Sequence, residues 1–402
     1  MTSFGPGPAL GALALFVLAS APPSPGPGAA ATLSPASTAR PRARDVGLAP
    51  GVFSPGPLNA ITDVAGVRVG HLTLVEGDRI RTGVTAVVPH PGNVFRDKVA
   101  GAVFIGNAFG KLAGSTQVQE LGTVETPIVL TNTLSVGAAL EGVVAEVLSW
   151  PGNDDVRSVN ALVGETNDGG LNDIRALAVR PDHVRAAIRS AAGGPVAEGS
   201  VGAGTGTRAF GWKGGIGTAS RVLPARHGAY TLGVLVQTNF DGVLTMDGAP
   251  VGRALGRYEF APGPEKGPGS PSPGAGGSCM VVVATDAPLS ARDLERLAAR
   301  ALFGLGRTGA SYSHGSGDFA IAFSTSPDAR TRHGETSPRP RLELPSDAVS
   351  PLFQAALETT EEAVYNSLLR ATPVSSALGR AEAIPVDRVR EVIRRSRPPA
   401  SF

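Results

Sequence analysis

The chain has 402 residues, of which 42% are apolar and 17% are charged, with a formal net charge of +2. This is a globular composition with enough apolar side chains for a large core. The arginines that carry nearly all the positive charge are spread along the chain, so the basic stripe typical of nucleic-acid binders is absent. The only cysteine, Cys279, excludes an intrachain disulfide and a cysteine-based zinc site. The six histidines include no i, i+4 pair, which disfavours a metal enzyme.

The N-terminus has the features of an export signal. Residues 9–21 form an apolar run that is too short to cross a bilayer as a helix. Small residues at 29–31 suit signal-peptide cleavage, although no Lys or Arg precedes the run. We expect residues 1–31 to be a signal peptide and the protein to be periplasmic or secreted. An incorrectly assigned start would instead leave it cytoplasmic. No other stretch reaches transmembrane length.

Composition also predicts where the folded part begins. Residues 32–57 are rich in Pro, Gly, Ala and Ser and are expected to form a linker without fixed structure. From Asn59, short apolar runs bounded by Gly, Asn or Pro predict buried strands, and helical stretches interleave with them. These strands are expected at 67–69, 84–88, 103–105, 128–130, 160–163 and 230–237. A helix is expected over 135–148, and Pro151 should stop it. Residues 193–219 form a Gly-rich middle segment.

The C-terminal part starts at an abrupt change of composition. Residues 262–277 are low-complexity and rich in Pro and Gly, so we expect an exposed, flexible stretch. At Ser278 this stretch gives way to a strongly apolar strand. A helix should follow, with Ser290 as its N-cap and with Gly304 and Gly306 at its end. A strand at 319–323 and an amphipathic helix at 350–369 complete the prediction. We interpret residues 58–402 as a single layered α/β domain.

The junction of Gly277 and Ser278 permits a specific chemistry. Glycine tolerates the strained backbone that is needed when the serine hydroxyl attacks the preceding carbonyl. An N→O acyl shift followed by hydrolysis would free the Ser278 amine. With an unperturbed pKa of about 8, that amine could act as a base for its own hydroxyl. On these residues alone, an ordinary Gly-Ser loop before a strand remains the alternative.

The segment from Gly277 resembles the start of the β-chain in the L-aminopeptidase D-Ala-esterase/amidase family, which includes the β-peptidyl aminopeptidases. The matching residues are GSCMVVVATDAPLSARDLERLAARALFGLGRTG. Further segments resemble the family in the same order: 59–90, 98–139, 164–174 (GETNDGGLNDI), 204–221, 313–325 (SHGSGDFAIAFST) and 361–372. The resemblance covers about residues 58 to 390, which is nearly all of the expected mature chain.

The resemblance implies a four-layer α/β/β/α sandwich and homo-oligomers of self-cleaved αβ heterodimers. It implies cleavage between Gly277 and Ser278, with Ser278 as the nucleophile. Ser316 and Asp318 correspond to the serine and the acidic residue that orient the Ser278 amine and hydroxyl. Better-known members carry Glu at the acidic position, and Asp is one methylene shorter. Asn239, at the end of a strand, corresponds to the amide donor of the oxyanion hole.

Substrate recognition is also implied by the resemblance. Glu165, in a Gly-flanked loop, corresponds to the residue that receives the free amine of the substrate. Asn167 stands where some relatives have Tyr and is a second substrate-binding candidate. The implied partners are small peptides, amides or esters with a free N-terminal amine, without nucleic acid or membrane. No metal or organic cofactor is implied.

Each assigned role has a structural alternative. Asn239 could bond its own turn, and Ser316 and Asp318 could be turn residues. Glu165 and Asp168 could be a solvated pair or could cap the following turn.

Three further features are interpreted as structural. His314 lies two residues from Ser316, and residues i and i+2 of an extended strand point to opposite sides. Residues 202–207 (GAGTGT) are interpreted as tight turns in the active-site wall, because no complete phosphate-binding motif is present. Cys279 is interpreted as a small buried hydrophobe instead of a rival nucleophile.

We predict a self-processing serine aminopeptidase or amidase that acts through an acyl-enzyme on Ser278. The nearest enzymatic alternative is an acyltransferase, since glutamate N-acetyltransferases share the fold and the self-processing but use Thr as nucleophile. The alternative from another class is an uncleaved, secreted binding or structural protein on the same scaffold.

Overall fold

The computed structural model describes residues 40–262 and 277–396. The predicted signal peptide, the first part of the predicted linker and nearly all of the low-complexity segment before Ser278 lie outside these residues. Within them, strands and helices interleave as the sequence predicts, and most strands are longer than their apolar runs.

Sixteen strands are found in the described ranges. They are Arg68–Glu76 (β1), Ile80–Val88 (β2), Asp97–Ala108 (β3), Leu112–Ala113 (β4), Thr123–Val124 (β5), Ile128–Asn132 (β6), Leu162–Thr166 (β7), Arg208–Ala209 (β8), Trp212–Lys213 (β9), Gly215–Val222 (β10), Thr231–Asn239 (β11), Ser278–Thr285 (β12), Gly317–Ser324 (β13), Thr331–Arg332 (β14), Val374–Ser376 (β15) and Gly379–Ala381 (β16).

The α-helices of the same part of the chain are Ser115–Leu121 (α1), Val136–Leu148 (α2), Pro181–Arg189 (α3), Val251–Ala254 (α4), Ala291–Arg307 (α5), Ser350–Arg370 (α6) and Val386–Ser396 (α7). None of the helices in the described residues is long and apolar enough to cross a membrane.

Two sheets lie face to face. The smaller has five strands in the order β1-β2-β6-β7-β4. The larger has seven, in the order β10-β11-β12-β13-β3-β14, with β5 paired to β3. The strand that begins at Ser278 is therefore central in the larger sheet. It pairs antiparallel with β11 and parallel with β13.

Three apolar cores separate four layers. Alternate residues of β12 point to opposite faces, so that Val281 and Val283 pack in a core with α5 and α6. Met280 and Val282 pack instead between the sheets, against Leu130 and other residues of the smaller sheet. A third core lies between the smaller sheet and helices α2 and α3. This order of layers confirms the predicted α/β/β/α sandwich.

The two sheets approach closely where β7 crosses β12. A Cβ atom at Gly164 would lie 2.7 Å from the Met280 sulfur, so a larger residue at this crossing would force the Met280 side chain to move. The close approach matters for the site, because the next residue along β7 is Glu165.

The linker prediction is wrong for residues 40–57, which pack onto the domain. Arg44 bonds the Glu362 carboxylate at 2.9 and 3.0 Å, and the Glu358 carboxylate accepts the backbone N–H groups of Val52 and Phe53 at 2.8 and 2.9 Å. The fully buried Arg221 joins Glu358 and Glu362 from β10. These partners lie about 300 residues away in the sequence, so composition could not indicate them.

The predicted end of helix α5 is also wrong. Its N-cap is confirmed, since the Ser290 hydroxyl accepts from the Asp293 N–H. The helix then runs through Gly304 and Gly306 to Arg307. A Cβ atom at Gly304 would lie 2.5 Å from the Leu357 carbonyl oxygen of α6. The glycine therefore allows close packing of two helices and does not end one.

Candidate active site

Strand pairing brings the predicted residues into one row at an end of the larger sheet. In the register, Ser278 lies opposite Asn239 of β11 on one side and opposite Gly317 of β13 on the other. Ser316 and Asp318 flank Gly317 in the chain. The predicted nucleophile, oxyanion donor and proton-handling pair are thus assembled by the backbone of three neighbouring strands.

The hydroxyl of Ser278 faces the peptide bond that precedes it. Its Oγ donates to the Gly277 carbonyl oxygen at 2.6 Å. The Gly317 N–H points to both atoms, at 3.2 Å from Ser278 Oγ and 3.2 Å from the Gly277 oxygen. An N–H in this position polarises the Gly277 carbonyl and can stabilise negative charge on its oxygen. Gly277 itself has little room, since a Cβ atom there would lie 2.9 Å from Phe240 Cα.

Ser316 and Asp318 present buried polar groups beside this bond. Burial raises the pKa of Asp318 to about 6, opposed by its contacts with the Ser316 hydroxyl and the Cys279 backbone. The Ser316 contact falls short of good hydrogen-bond geometry. Within the described residues, Ser316 Oγ and Asp318 Oδ2 are buried without a hydrogen-bond partner. Both residues line a cavity of about 10 Å³ together with Gly277, Tyr312 and others.

That cavity is about large enough to hold one water molecule. Gly277 lines it together with Ser316 and Asp318, whose buried Oγ and Oδ2 atoms lack hydrogen-bond partners among the described residues. Asp318, the shorter replacement for Glu, is therefore next to the bond that the prediction assigns for cleavage.

The amide of Asn239 is held on both sides. Its Oδ1 accepts from the Arg208 N–H at 2.9 Å, and its Nδ2 donates to the Asn167 carbonyl oxygen at 3.0 Å. A backbone N–H can only donate, so the contact with Arg208 fixes which way the amide points. Nδ2 carries two hydrogens, and one remains for a further acceptor. The alternative that Asn239 bonds only its own turn is wrong.

Glu165 lies in strand β7, not in the predicted loop, and only 2% of the residue is exposed. One oxygen, Oε1, accepts the Lys111 backbone N–H at 3.0 Å, and the other accepts the Thr133 hydroxyl. The Lys111 ammonium is 3.8 Å from Oε1. A Cβ atom on Gly110 would be 3.2 Å from both Glu165 Oε1 and Gly317 Cα, so the carboxylate lies close to the Ser278 row.

Asn167 is exposed, and its side chain accepts the Gly169 N–H at 2.9 Å within its own turn. Its carbonyl oxygen, not its side chain, contacts the predicted oxyanion donor. The structure therefore brings Asn167 to the site through its backbone.

Lys213 is a site-supporting residue that the sequence reasoning missed. It is fully buried, and its Nζ donates to the carbonyl oxygens of Gly204 and Gly214 at 2.7 and 2.9 Å. It lies opposite Arg208 in the β8–β9 hairpin. Burial lowers the pKa of Lys213 to about 7, and the charge of nearby Asp168 opposes this shift. The only signal was one lysine in the Gly-rich middle segment.

Asp168 is a second buried charged residue near this lysine. It follows Asn167 directly, and burial raises its pKa to about 6. Its Oδ1 accepts from the Asn172 amide at 3.0 Å, so it is not part of a solvated pair with Glu165. Lys213 is thus the strand partner of Arg208, and Asp168 is the chain neighbour of Asn167; these are the two residues whose backbone groups hold the Asn239 amide.

Two residues predicted to be structural have surroundings in keeping with that interpretation. The His314 ring packs against Phe109 with centroids 5.7 Å apart. Cys279 is fully buried, and burial raises the pKa of its thiol, which disfavours the reactive thiolate.

The sequence model of the family described as "Peptidase family S58" matches residues 59–382 of this chain. The chain belongs to peptidase family S58. It is 41% identical over 384 residues to the beta-peptidyl aminopeptidase BapA of Sphingosinicella microcystinivorans, and the match covers 90% of this chain and 94% of that protein.

Two solved structures are similar throughout. The Burkholderia sp. beta-aminopeptidase gives a TM-score of 0.80 at 39% identity, over 89% of this chain and 100% of that chain. The L-aminopeptidase D-Ala-esterase/amidase of Ochrobactrum anthropi, described as a variant of the Ntn hydrolase fold, gives 0.79 at 37% identity. That match covers 89% of this chain and 99% of the other.

These similarities confirm the predicted family and fold class. As an S58 member with aminopeptidase relatives, the protein is a hydrolase that acts as an aminopeptidase on peptides. The alternative of a binding or structural protein without activity is thereby set aside, and a hydrolase is favoured over an acyltransferase.

Proposed function

We propose that this S58 aminopeptidase cleaves itself between Gly277 and Ser278 and then uses Ser278 as its nucleophile. The observation that carries the proposal is the shared contact of the Gly317 N–H with Ser278 Oγ and the Gly277 oxygen, each at 3.2 Å. One donor therefore faces both the attacking group and the carbonyl under attack.

Self-cleavage would proceed in two steps. Ser278 Oγ attacks the Gly277 carbonyl carbon, the Gly317 N–H stabilises the oxyanion, and the C–N bond breaks to leave an ester on Ser278. The hydroxyl proton passes to the released Ser278 amine, with Ser316 and Asp318 placed to relay it. Water then hydrolyses the ester, which gives a Gly277 carboxylate and a Ser278 with a free amine and a free hydroxyl.

Peptide hydrolysis would use the new N-terminus. The Ser278 amine takes the hydroxyl proton, and Oγ attacks the carbonyl of the first substrate residue. The remaining N–H of Asn239 would stabilise the oxyanion, and Glu165 would hold the substrate ammonium through a charge-assisted hydrogen bond. The amine of the leaving peptide takes up a proton, and water releases the first residue from the acyl-enzyme.

The names of the relatives guide the proposed substrates. Two of the compared proteins are named for β-peptides or β-amino acids and one for L-amino acids and D-Ala esters and amides. We infer that this chain accepts first residues with a β-amino group, and that amides and esters also serve. A panel of L-Ala, D-Ala and β-Ala p-nitroanilides measures this preference directly.

A reducing denaturing gel with N-terminal sequencing tests the processing. Two bands are expected, and the smaller should begin Ser-Cys-Met-Val. One band in a protein that is fully active on β-Ala-p-nitroanilide would refute self-cleavage, and a chain starting at Cys279 would move the nucleophile.

We also propose that the apolar run at 9–21 directs export and that the mature protein forms homo-oligomers of αβ heterodimers. Export is supported by the length of the run, and the assembly by the family resemblance. Fractionation of a bacterial host tests the first, and light scattering of the purified protein tests the second. Cytoplasmic protein that retains Met1 would contradict export. A single αβ heterodimer in solution would contradict the proposed assembly.

A further inference from the structure

The carboxylate proposed to bind the substrate amine already has a cation beside it. Lys111 contributes its backbone N–H to Glu165 Oε1 at 3.0 Å, and its ammonium stands 3.8 Å from the same oxygen. The Glu165 side chain is 2% exposed, whereas that of Lys111 is 57% exposed. The site therefore offers a buried negative charge and an accessible positive charge next to each other.

The Lys111 ammonium is held weakly. At 3.8 Å the contact is an ion pair without a hydrogen bond, and Nζ makes no hydrogen bond to any described residue. Because the Lys111 side chain is more than half exposed, its ammonium stays solvated and can turn toward another anion at small cost. The backbone N–H of the same residue keeps the stem of Lys111 next to Glu165 when the ammonium turns.

A substrate ammonium that binds Glu165 would arrive next to this cation. The group that complements the pair is an ammonium with a carboxylate on the same carbon, because each charge then meets its opposite. We propose that Lys111 binds a carboxylate on the first residue of the substrate, and that β-aspartyl peptides are therefore preferred substrates. This inference rests on the proposed role of Glu165 in binding the amine.

The β-aspartyl residue fits for a reason of chain length. Its ammonium and free carboxylate share one carbon, and a single methylene separates that carbon from the carbonyl to be attacked. The spacing from amine to carbonyl equals that of a β-alanyl residue, which differs only by lacking the carboxylate. The reaction is the same hydrolysis: water splits the β-amide and releases aspartate and the shortened peptide.

The carboxylate of Glu165 and the proposed nucleophile Ser278 are close enough for one short residue to reach both. Gly110, directly before Lys111, separates Glu165 Oε1 from Gly317 Cα, with its would-be Cβ 3.2 Å from each. Gly317 is the strand partner of Ser278. A short first residue can therefore reach from the carboxylate to the nucleophile while its own carboxylate faces Lys111.

The test compares β-Asp-Leu-amide with β-Ala-Leu-amide, so that the carboxylate on the first residue is the only one present. Kinetics are measured for the wild type, for Lys111→Met, which keeps the stem without the charge, and for Lys111→Arg, which keeps the charge. The wild type should prefer the β-aspartyl substrate. Lys111→Met should lower kcat/KM for it by about tenfold or more, the scale of a charged hydrogen bond. Lys111→Arg should retain most of it, and β-alanyl turnover should not fall in either variant.

The outcomes separate this inference from the proposed function. If the wild type hydrolyses β-Ala-Leu-amide but not β-Asp-Leu-amide, the carboxylate is not bound and the inference is wrong while the function stands. If Lys111→Met changes both substrates alike, Lys111 only neutralises Glu165 and the inference is again wrong. If neither substrate is cleaved, the proposed β-aminoacyl activity itself fails. A gel showing the same two bands for all three proteins controls for folding.

Discussion

Asn239 and Ser278 are cross-strand partners in the antiparallel pairing of β11 with β12. The proposed oxyanion donor and nucleophile therefore lie at the ends of two inner strands of a seven-stranded sheet. Backbone hydrogen bonds, and not flexible loops, hold them in place. Such a scaffold holds reacting groups to the tolerance that catalysis needs. Substitutions in the row can accordingly be interpreted as changes in chemistry while the sheet stays intact.

Ser278 and Cys279 can be separated by a matched pair of substitutions. Ser278→Ala should remain a single chain without activity, because the proposed mechanism uses the same hydroxyl for self-cleavage and for hydrolysis. Cys279→Ala should be processed and active, and should lose about 1 kcal/mol of unfolding free energy for a small buried side chain. Gel electrophoresis and p-nitroanilide turnover measure both. Normal activity in an uncleaved Ser278→Ala protein would contradict the proposed mechanism.

Glu165→Gln should impair substrates with a free amine selectively. The glutamine keeps the shape and can still accept the Lys111 N–H, but the charge that holds the ammonium is gone. We expect kcat/KM for β-Ala-p-nitroanilide to fall by one to two decades, in line with about 1.5–3 kcal/mol for a hydrogen bond to a charged group. Self-cleavage involves no substrate amine and should be unchanged.

The control for this loss is Glu125→Gln, which removes another buried carboxylate, the partner of Lys98. It should lower stability but spare kcat/KM. The N-acetylated substrate should be poor for the wild type and little changed by Glu165→Gln. Equal turnover of acetylated and free substrates by the wild type would show that the amine is not recognised.

Asp318→Asn should stabilise the uncleaved chain at neutral pH. Burial raises the pKa of Asp318 from 3.8 to about 6, so the folded state binds more protons than the unfolded state between these values. The stability due to this group is fully present below pH 3.8 and is lost as the pH rises through 6. Two pKa units correspond to about 3 kcal/mol, an upper bound here because the group keeps polar contacts.

The measurement compares Ser278→Ala with Ser278→Ala/Asp318→Asn by urea unfolding, so that no new amine forms beside the carboxylate. The double variant should be more stable at pH 7, and the two should be nearly equal at pH 4. An unchanged difference at both pH values would mean that the carboxylate is not strained by burial.

Lys213→Met should uncouple self-cleavage from hydrolysis. The Gly277 oxygen faces the Gly317 N–H, so self-cleavage should proceed. The backbone of Arg208, which holds Asn239 Oδ1, would instead lose the buried ammonium of its strand partner Lys213. We expect kcat to fall about 10- to 100-fold, less than the loss of a whole oxyanion donor, with KM little changed.

Lys98→Met is the matched control, since it also removes a largely buried lysine ammonium. Lys98 lies far along β3 from Asn107, the strand partner of Asp318. It should keep the wild-type kcat. A Lys213→Met protein that is processed and retains full kcat would exclude a positioning role for this lysine.

Much of the fold was predictable because apolar runs and caps are local signals. The strand at Ser278 and the cap at Ser290 are confirmed for this reason. Strand β10 was missed because its sequence, GIGTASRV, has small residues where neighbours press closely. A Cβ atom at Gly217 would lie 2.0 Å from the Ala363 carbonyl oxygen of α6, and that neighbour is not visible in the sequence.

The site was predictable where the family resemblance supplied motifs, and less so where support comes from distant backbone. The row formed by Asn239, Ser278 and Gly317 follows from strand pairing that no local pattern reveals. Lys213 was missed because its importance depends on burial against two carbonyl oxygens. The proposed role of Lys111 likewise depends on its contact with the Glu165 carboxylate, which the sequence does not reveal.

The strand order of the larger sheet determines whether the protein could refold after cleavage. Strands β12 and β13, which follow the proposed cleavage point, lie between β11 and β3, which precede it. If the chain is cut there, the larger sheet is built from strands of both fragments, so regaining the structure after denaturation would require two chains to meet and interleave. The uncut chain can fold as one molecule, whereas the persistence of a cut enzyme would depend on slow unfolding. Cleavage would thus make unfolding irreversible, and each molecule would have to fold before it is cut.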